Sequence, residues 1–79
     1  MKITKKYTLI ISPVTKVHSE QDSLSTLRIL CEHYKVKFRS FAHTKKDTGF
    51  GVEMDFLFEG EKKDVLSVIS EYKNWAFES

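Results

Sequence analysis

VKFRSFAHTKKDTGFGVEMDFLF, running from Val36 to Phe58, decides the fold. Between Val36 and His43 the side chains alternate. Val36, Phe38, Ser40 and Ala42 fall on one face, and Lys37, Arg39, Phe41 and His43 on the other. Phe50 to Phe58 alternates again, setting Val52, Met54, Phe56 and Phe58 against Glu53, Asp55 and Leu57. The intervening Lys45-Lys46-Asp47-Thr48-Gly49 carries turn chemistry, because an Asp side chain bonds nearby backbone and Gly accepts positive φ. Two period-two runs around a short glycine-containing turn predict a β-hairpin.

Upstream of the hairpin, Tyr7-Thr8-Leu9-Ile10-Ile11 is rich in strand formers and Pro13 closes it, which gives a first strand. Val14 to Ser19 is a polar connector. Ser19 and Asp22 then stand at capping-box spacing, with Asp in place of the usual Glu. Leu24, Leu27, Cys31 and Tyr34 follow on one helical stripe, predicting a helix over Glu20–Tyr34. Downstream, Glu59-Gly60 breaks the strand, and Val65, Val68, Ile69 and Tyr72 form a second stripe, predicting a helix over Glu61–Tyr72. Trp75 and Phe77 stand two apart within Asn74–Glu78, which reads as a short fourth strand, the alternative being a disordered tail anchored by Trp75. The resulting order β-α-β-β-α-β predicts a single α+β domain over residues 1–79. The expected architecture is a ferredoxin-like sandwich, with both helices on one face of a four-stranded antiparallel sheet in the order 4-1-3-2.

Composition narrows the function. Seventy-nine residues make one domain, and an apolar share of 41% is enough for one core and too much for a disordered segment. The formal net charge is only +2, and of the 13 basic residues only Arg28 and Arg39 are arginine. A protein that lives on phosphate contacts usually carries more positive charge and more of it as arginine, while a nucleic-acid mimic would be strongly acidic. Cys31 is the only cysteine, which excludes an internal disulfide or a multi-cysteine metal site and points to a reducing compartment. Apolar runs such as Leu9-Ile10-Ile11 are far too short to span a bilayer, so a cytoplasmic protein without membrane contact is expected.

The sheet face away from the helices is expected to show Lys37, Arg39, Phe41, His43, Glu53, Asp55 and Leu57. Pairing Thr44 with Phe50 sets Arg39 opposite Asp55, and a shift of two residues sets it opposite Glu53 with Lys37 opposite Asp55. Either register places basic against acidic side chains, each pair adding roughly 0.2–1 kcal/mol to the hairpin. An RNA-stacking surface needs outward aromatics on the central strands with basic neighbours, whereas here Glu53 and Asp55 point outward and Phe56 and Phe58 inward. Outward Phe41 and Leu57, joined by Ile10, fit a protein contact better, as an apolar strip with a charged rim. Lysines collect at both ends of the domain: Lys16, His18, Lys45, Lys46 and Lys73 at one, and Lys2, Lys5, Lys6, Lys35, Lys62 and Lys63 at the other.

Enzyme chemistry finds no support. His18, His33 and His43 lack metal-site spacing, and Cys31 on the apolar stripe reads as core. No glycine-rich phosphate loop, nucleophile elbow or dinucleotide fingerprint is present. Acylphosphatases share the expected topology and hold phosphate in a glycine-containing loop with an arginine, but Ser12–Ser19 contains neither. The paired-cysteine loop of metal-chaperone versions of the fold is missing too. No cofactor is implied. The expectation is therefore a non-enzymatic protein-interaction module, such as a small inhibitor or modulator of a larger enzyme of the phage accessory-protein kind. Its contact would be made by Arg39, Phe41, His43 and Leu57 or by the hairpin tip with Lys45 and Lys46, and its partner would be another protein or a second copy. The alternative is a nucleic-acid-binding protein that uses the lysine-rich ends.

Overall fold

A computed structural model describes residues 1–13 and 19–77. The element order is β1 (Lys2–Pro13), α1 (Glu20–Tyr34), β2 (Lys37–Asp47), β3 (Gly51–Glu61) and α2 (Lys62–Phe77). The chain is thus α+β, with two helices and a three-stranded antiparallel sheet in the order β1-β3-β2. β3 lies in the centre because its alternation is the strongest in the chain. Met54, Phe56 and Phe58 all point inward and are buried. Tyr7 and Leu9 of β1 pair with Phe56 and Met54, and Phe38 of β2 pairs with Phe58. One continuous core results, closed on the helix side by Leu27 and Cys31 of α1 and by Val65, Val68 and Tyr72 of α2.

Local chemistry explains the helix ends. Ser19 caps α1 reciprocally: its Oγ accepts from the Asp22 N–H at 3.1 Å, and Asp22 Oδ2 accepts from the Ser19 N–H at 3.2 Å. α1 ends where Lys35 turns left-handed at φ 58 and Val36 N–H donates to the Cys31 carbonyl at 2.8 Å.

The fourth strand is not formed. Asn74–Phe77 is the last turn of α2, and Glu78 lies outside the described residues. Neither Gly nor Pro stands between Lys62 and Phe77, and buried Ala76 extends the stripe of Val65, Val68, Ile69 and Tyr72 by one more turn. Helical period therefore overrides the two-residue spacing of Trp75 and Phe77. The expected 4-1-3-2 ferredoxin-like sheet is replaced by three strands. Among the described residues, β1 pairs on one side only.

β1 also reaches further than Tyr7–Ile11, starting at Lys2, and its register slips between Ile10 and Ser12. A bulge of this kind takes backbone groups out of the ladder. Both carbonyls there find helix hydroxyls instead: the Tyr72 OH donates to the Ile10 oxygen and the Ser23 Oγ to the Ile11 oxygen, each at 2.6 Å. Ser23 is fully buried, so α1 and α2 are both fastened to this one irregular point of the sheet.

Tyr72→Phe keeps the ring and removes the donor to the part-buried Ile10 carbonyl, so it should lower stability by about 1–2 kcal/mol in urea unfolding at unchanged m value. Burial also raises the Tyr72 phenol pKa above the ordinary tyrosine value. The unfolded chain then loses this proton first, so the stability contributed by the protonated phenol is whole below about pH 10 and is lost as pH rises further. The variant should show a shallower alkaline loss of stability than the native chain. It should not be flat, because the Glu71 partner raises the Tyr34 phenol as well.

Candidate functional site

Strand pairing arranges the face opposite the helices in four cross-strand rows: Thr4–Glu59–Lys37, Lys6–Leu57–Arg39, Thr8–Asp55–Phe41 and Ile10–Glu53–Lys46. Asp55 organises the centre. Its Oδ1 accepts from the Thr8 hydroxyl at 2.6 Å, and its Oδ2 lies 3.8 Å from the Lys6 ammonium. That ion pair is largely solvated and adds at most about 1 kcal/mol.

Neither expected hairpin register is adopted. Arg39 stands opposite Leu57, and Phe41 takes the place opposite Asp55. The cause is an irregularity in β2 between Phe41 and Lys46, where Ala42, His43, Thr44 and Lys45 oppose only Met54. The extra length also draws Lys45, Lys46 and Asp47 into the strand, so the turn is shorter than Lys45–Gly49. Thr44 repairs the gap in the ladder: its Oγ1 accepts from the Asp55 N–H at 2.9 Å and donates to the Phe41 carbonyl at 2.6 Å.

Of the expected contact residues, Arg39, Phe41 and Leu57 come together on the open face, with Phe41 and Leu57 half-buried and Arg39 exposed. His43, in the irregular stretch, sets its ring edge against Phe41 at 6.0 Å. A depression of about 280 Å³ beside this group is lined by Thr4, Lys37, Phe38, Arg39, Leu57 and Glu59. Lys45 and Lys46 lie beyond the irregularity and diverge. Lys45 pairs with Glu20 at the start of α1, 2.9 Å away, whereas Lys46 stands across from Glu53. Lys16 and His18 of the expected basic end lie outside the described residues.

The side chain that sequence reasoning misplaced is Phe50. Expected as the first residue of a strand, it sits on the turn between β2 and β3 and is 81% exposed, far more than any other described aromatic. The turn is fastened to itself. Thr48 donates from both its N–H and its hydroxyl to the Gly51 carbonyl, Gly49 N–H donates to Asp47 Oδ1, and Phe50 N–H donates to Thr48 Oγ1, all within 2.9–3.3 Å. Gly49 has φ 86, a conformation that glycine adopts without strain. The missed signal was the pattern Gly49-Phe50-Gly51, since a residue flanked by glycines belongs to a turn before it belongs to a strand.

No protein-family model matches this chain, and neither do curated proteins or solved structures. Among the described residues no three His, Cys, Asp or Glu side chains are placed to hold a metal, and no helix is long and apolar enough to cross a membrane. Cys31 is buried against the core, which pushes its thiol up to about 11.

Two measurements check this local chemistry. Thr44→Val should cost about 1–2 kcal/mol by leaving the Asp55 N–H and the Phe41 carbonyl without their bridge, and Thr44→Ser should recover most of it. Cys31 in the native chain should react with a disulfide reagent at pH 8 at least tenfold more slowly than in the urea-unfolded chain, because only the thiolate attacks.

Proposed function

We propose that the domain is a protein-interaction module, a small modulator or inhibitor of a larger partner, and that its contact is centred on the β2–β3 turn. The observation that carries this reading is Phe50, a large aromatic held out in solvent on a turn that its own hydrogen bonds keep in one shape. Ordering costs oppose association, so an anchor that is already ordered binds more tightly than a flexible one. Burying an exposed Phe in a partner's pocket contributes roughly 1.5–3 kcal/mol, which is a tenfold to hundredfold change in Kd. Lys46 and Asp47 beside it supply a polar rim.

The open face is the weaker centre, because Phe41 and Leu57 are half covered and Asp55 beside them is engaged with both Thr8 and Lys6. A nucleic-acid role is disfavoured on this face for the same reason: Glu53, Asp55 and Glu59 run down its middle.

The test is affinity capture from a lysate of the source cells with mass spectrometry, using the native chain, Phe50→Ser and the double variant Phe41→Ser/Leu57→Ser. The native chain should retain a discrete protein that Phe50→Ser loses by at least tenfold, at unchanged circular dichroism and a melting point within about 2 °C, as expected of an exposed site. The double variant should lose less. Equal retention by the native chain and Phe50→Ser would refute the turn as the contact.

A further inference from the structure

We propose that the free edge of β1, from Lys2 to Leu9, takes an extended acidic segment of a protein partner as an added strand. This rests on reading the domain as a protein-binding module, but it uses a surface separate from Phe50. Among the described residues this edge has no strand beside it, and backbone N–H and C=O groups on such an edge are a template for another chain.

The register with β3 is unbroken from Lys2 to Ile10, so the edge is regular over that length. The other edge is a poorer template, because β2 is interrupted between Phe41 and Lys46. The far end of β1 is closed to pairing by the register slip at Ile10–Ser12 and by Pro13, and its Ile10 and Ile11 carbonyls are already taken by Tyr72 and Ser23.

Charge selects the occupant. β1 contains Lys2, Lys5 and Lys6 and no acidic residue, and all three lysines are exposed. A second copy of this chain is a poor fit, since a two-fold antiparallel pairing sets like-facing residues opposite each other, and centring it within Lys2–Leu9 on Lys5 or Lys6 places that lysine against its own copy, where like charges across a ladder are destabilising. The two sides of β1 specify the pattern of the incoming strand. Lys2, Thr4, Lys6 and Thr8 look to the open face and call for acidic or polar partners. Ile3, Lys5 and Tyr7 look to the helix side; Ile3 and Tyr7 pack on the core and remain partly exposed, and the Lys5 ammonium lies over the Tyr7 ring, so apolar partners would cover Ile3, the Lys5 stem and Tyr7 there. The segment is therefore one that alternates acidic and apolar residues, bound by main-chain hydrogen bonds with side chains read on alternate faces.

The probe is a capped nonapeptide alternating Glu and Val, titrated into the full chain with backbone amide shifts recorded by NMR. Shifts should concentrate on Lys2–Leu9. Binding should fall at least tenfold when alternate peptide amides are N-methylated, and again in the double variant Lys2→Glu/Lys6→Glu. A matched Lys-Val peptide should bind that double variant better than the native chain. Phe50→Ser should bind the nonapeptide as the native chain does, so loss of the captured protein and loss of peptide binding report on different surfaces. Shifts centred away from β1, undiminished binding of the N-methylated peptide, or equal binding of the Lys-Val peptide by the native chain would each overturn the proposal. So would an oligothymidylate that shifts the same amides at the same concentration.

Discussion

The rest of this domain follows from the position of β3, among the described residues the one strand paired on both sides. A central strand cannot shift by one residue without turning its whole inward set to solvent. Here that set is Met54, Phe56 and Phe58, with Phe56 and Phe58 fully buried. Their parity fixes which side chains of β1 and β2 face the helices, and so which stripe of each helix is buried. It equally fixes the open face, because Glu53, Asp55, Leu57 and Glu59 have nowhere else to point.

The flanking strands fit β3 imperfectly, and both misfits are resolved by hydroxyl groups. In β2 the surplus residues leave the Asp55 N–H and the Phe41 carbonyl apart, and Thr44 bridges them. In β1 the slip at Ile10–Ser12 leaves carbonyls that Tyr72 and Ser23 reach from the helices. Buried backbone groups left unpaired cost about 1–3 kcal/mol each, a large fraction of what a chain of this size has in hand. Thr44, Tyr72 and Ser23 therefore complete the bonding that the strand ladder leaves open at its two irregular points.

What could be read from the sequence was whatever local chemistry decides alone. The Ser19–Asp22 pair located the start of α1, and the alternation of Val52 to Phe58 located β3 and its inward face. What could not be read was whatever depends on a neighbour. Arg39 opposite Asp55 looked right on charge, but the register is set by how many residues β2 spends between Phe41 and Lys46, which alternation does not reveal. The same alternation puts Ala42 on the inward face, but Ala42 lies in the irregular stretch and is exposed. Trp75 and Phe77 offer a two-residue spacing that a strand could use, yet Ala76 between them is fully buried and Trp75 packs partly against the core, as a helix requires. Within the candidate site, Phe41, Leu57 and Arg39 were legible as neighbours because parity alone gathers them. Phe50 was not, since its exposure comes from the turn's internal bonding.

A net charge of +2 conceals a partition that bears on both topology and recognition. β3 carries Glu53, Asp55, Glu59 and Glu61 and no base, while β1 carries three lysines and no acid, and β2 carries Lys37, Arg39, Lys45 and Lys46 against Asp47 alone. With β3 between them, every interstrand boundary joins a basic strand to an acidic one. The order β3-β1-β2 would instead set the two basic strands side by side, where like charges across a ladder are destabilising. The same partition leaves each outer edge with a basic strand whose counter-charges lie inward. Acidic side chains therefore collect at the sheet's centre and basic ones at its edges. Charge thus supports the order that hydrophobic parity requires.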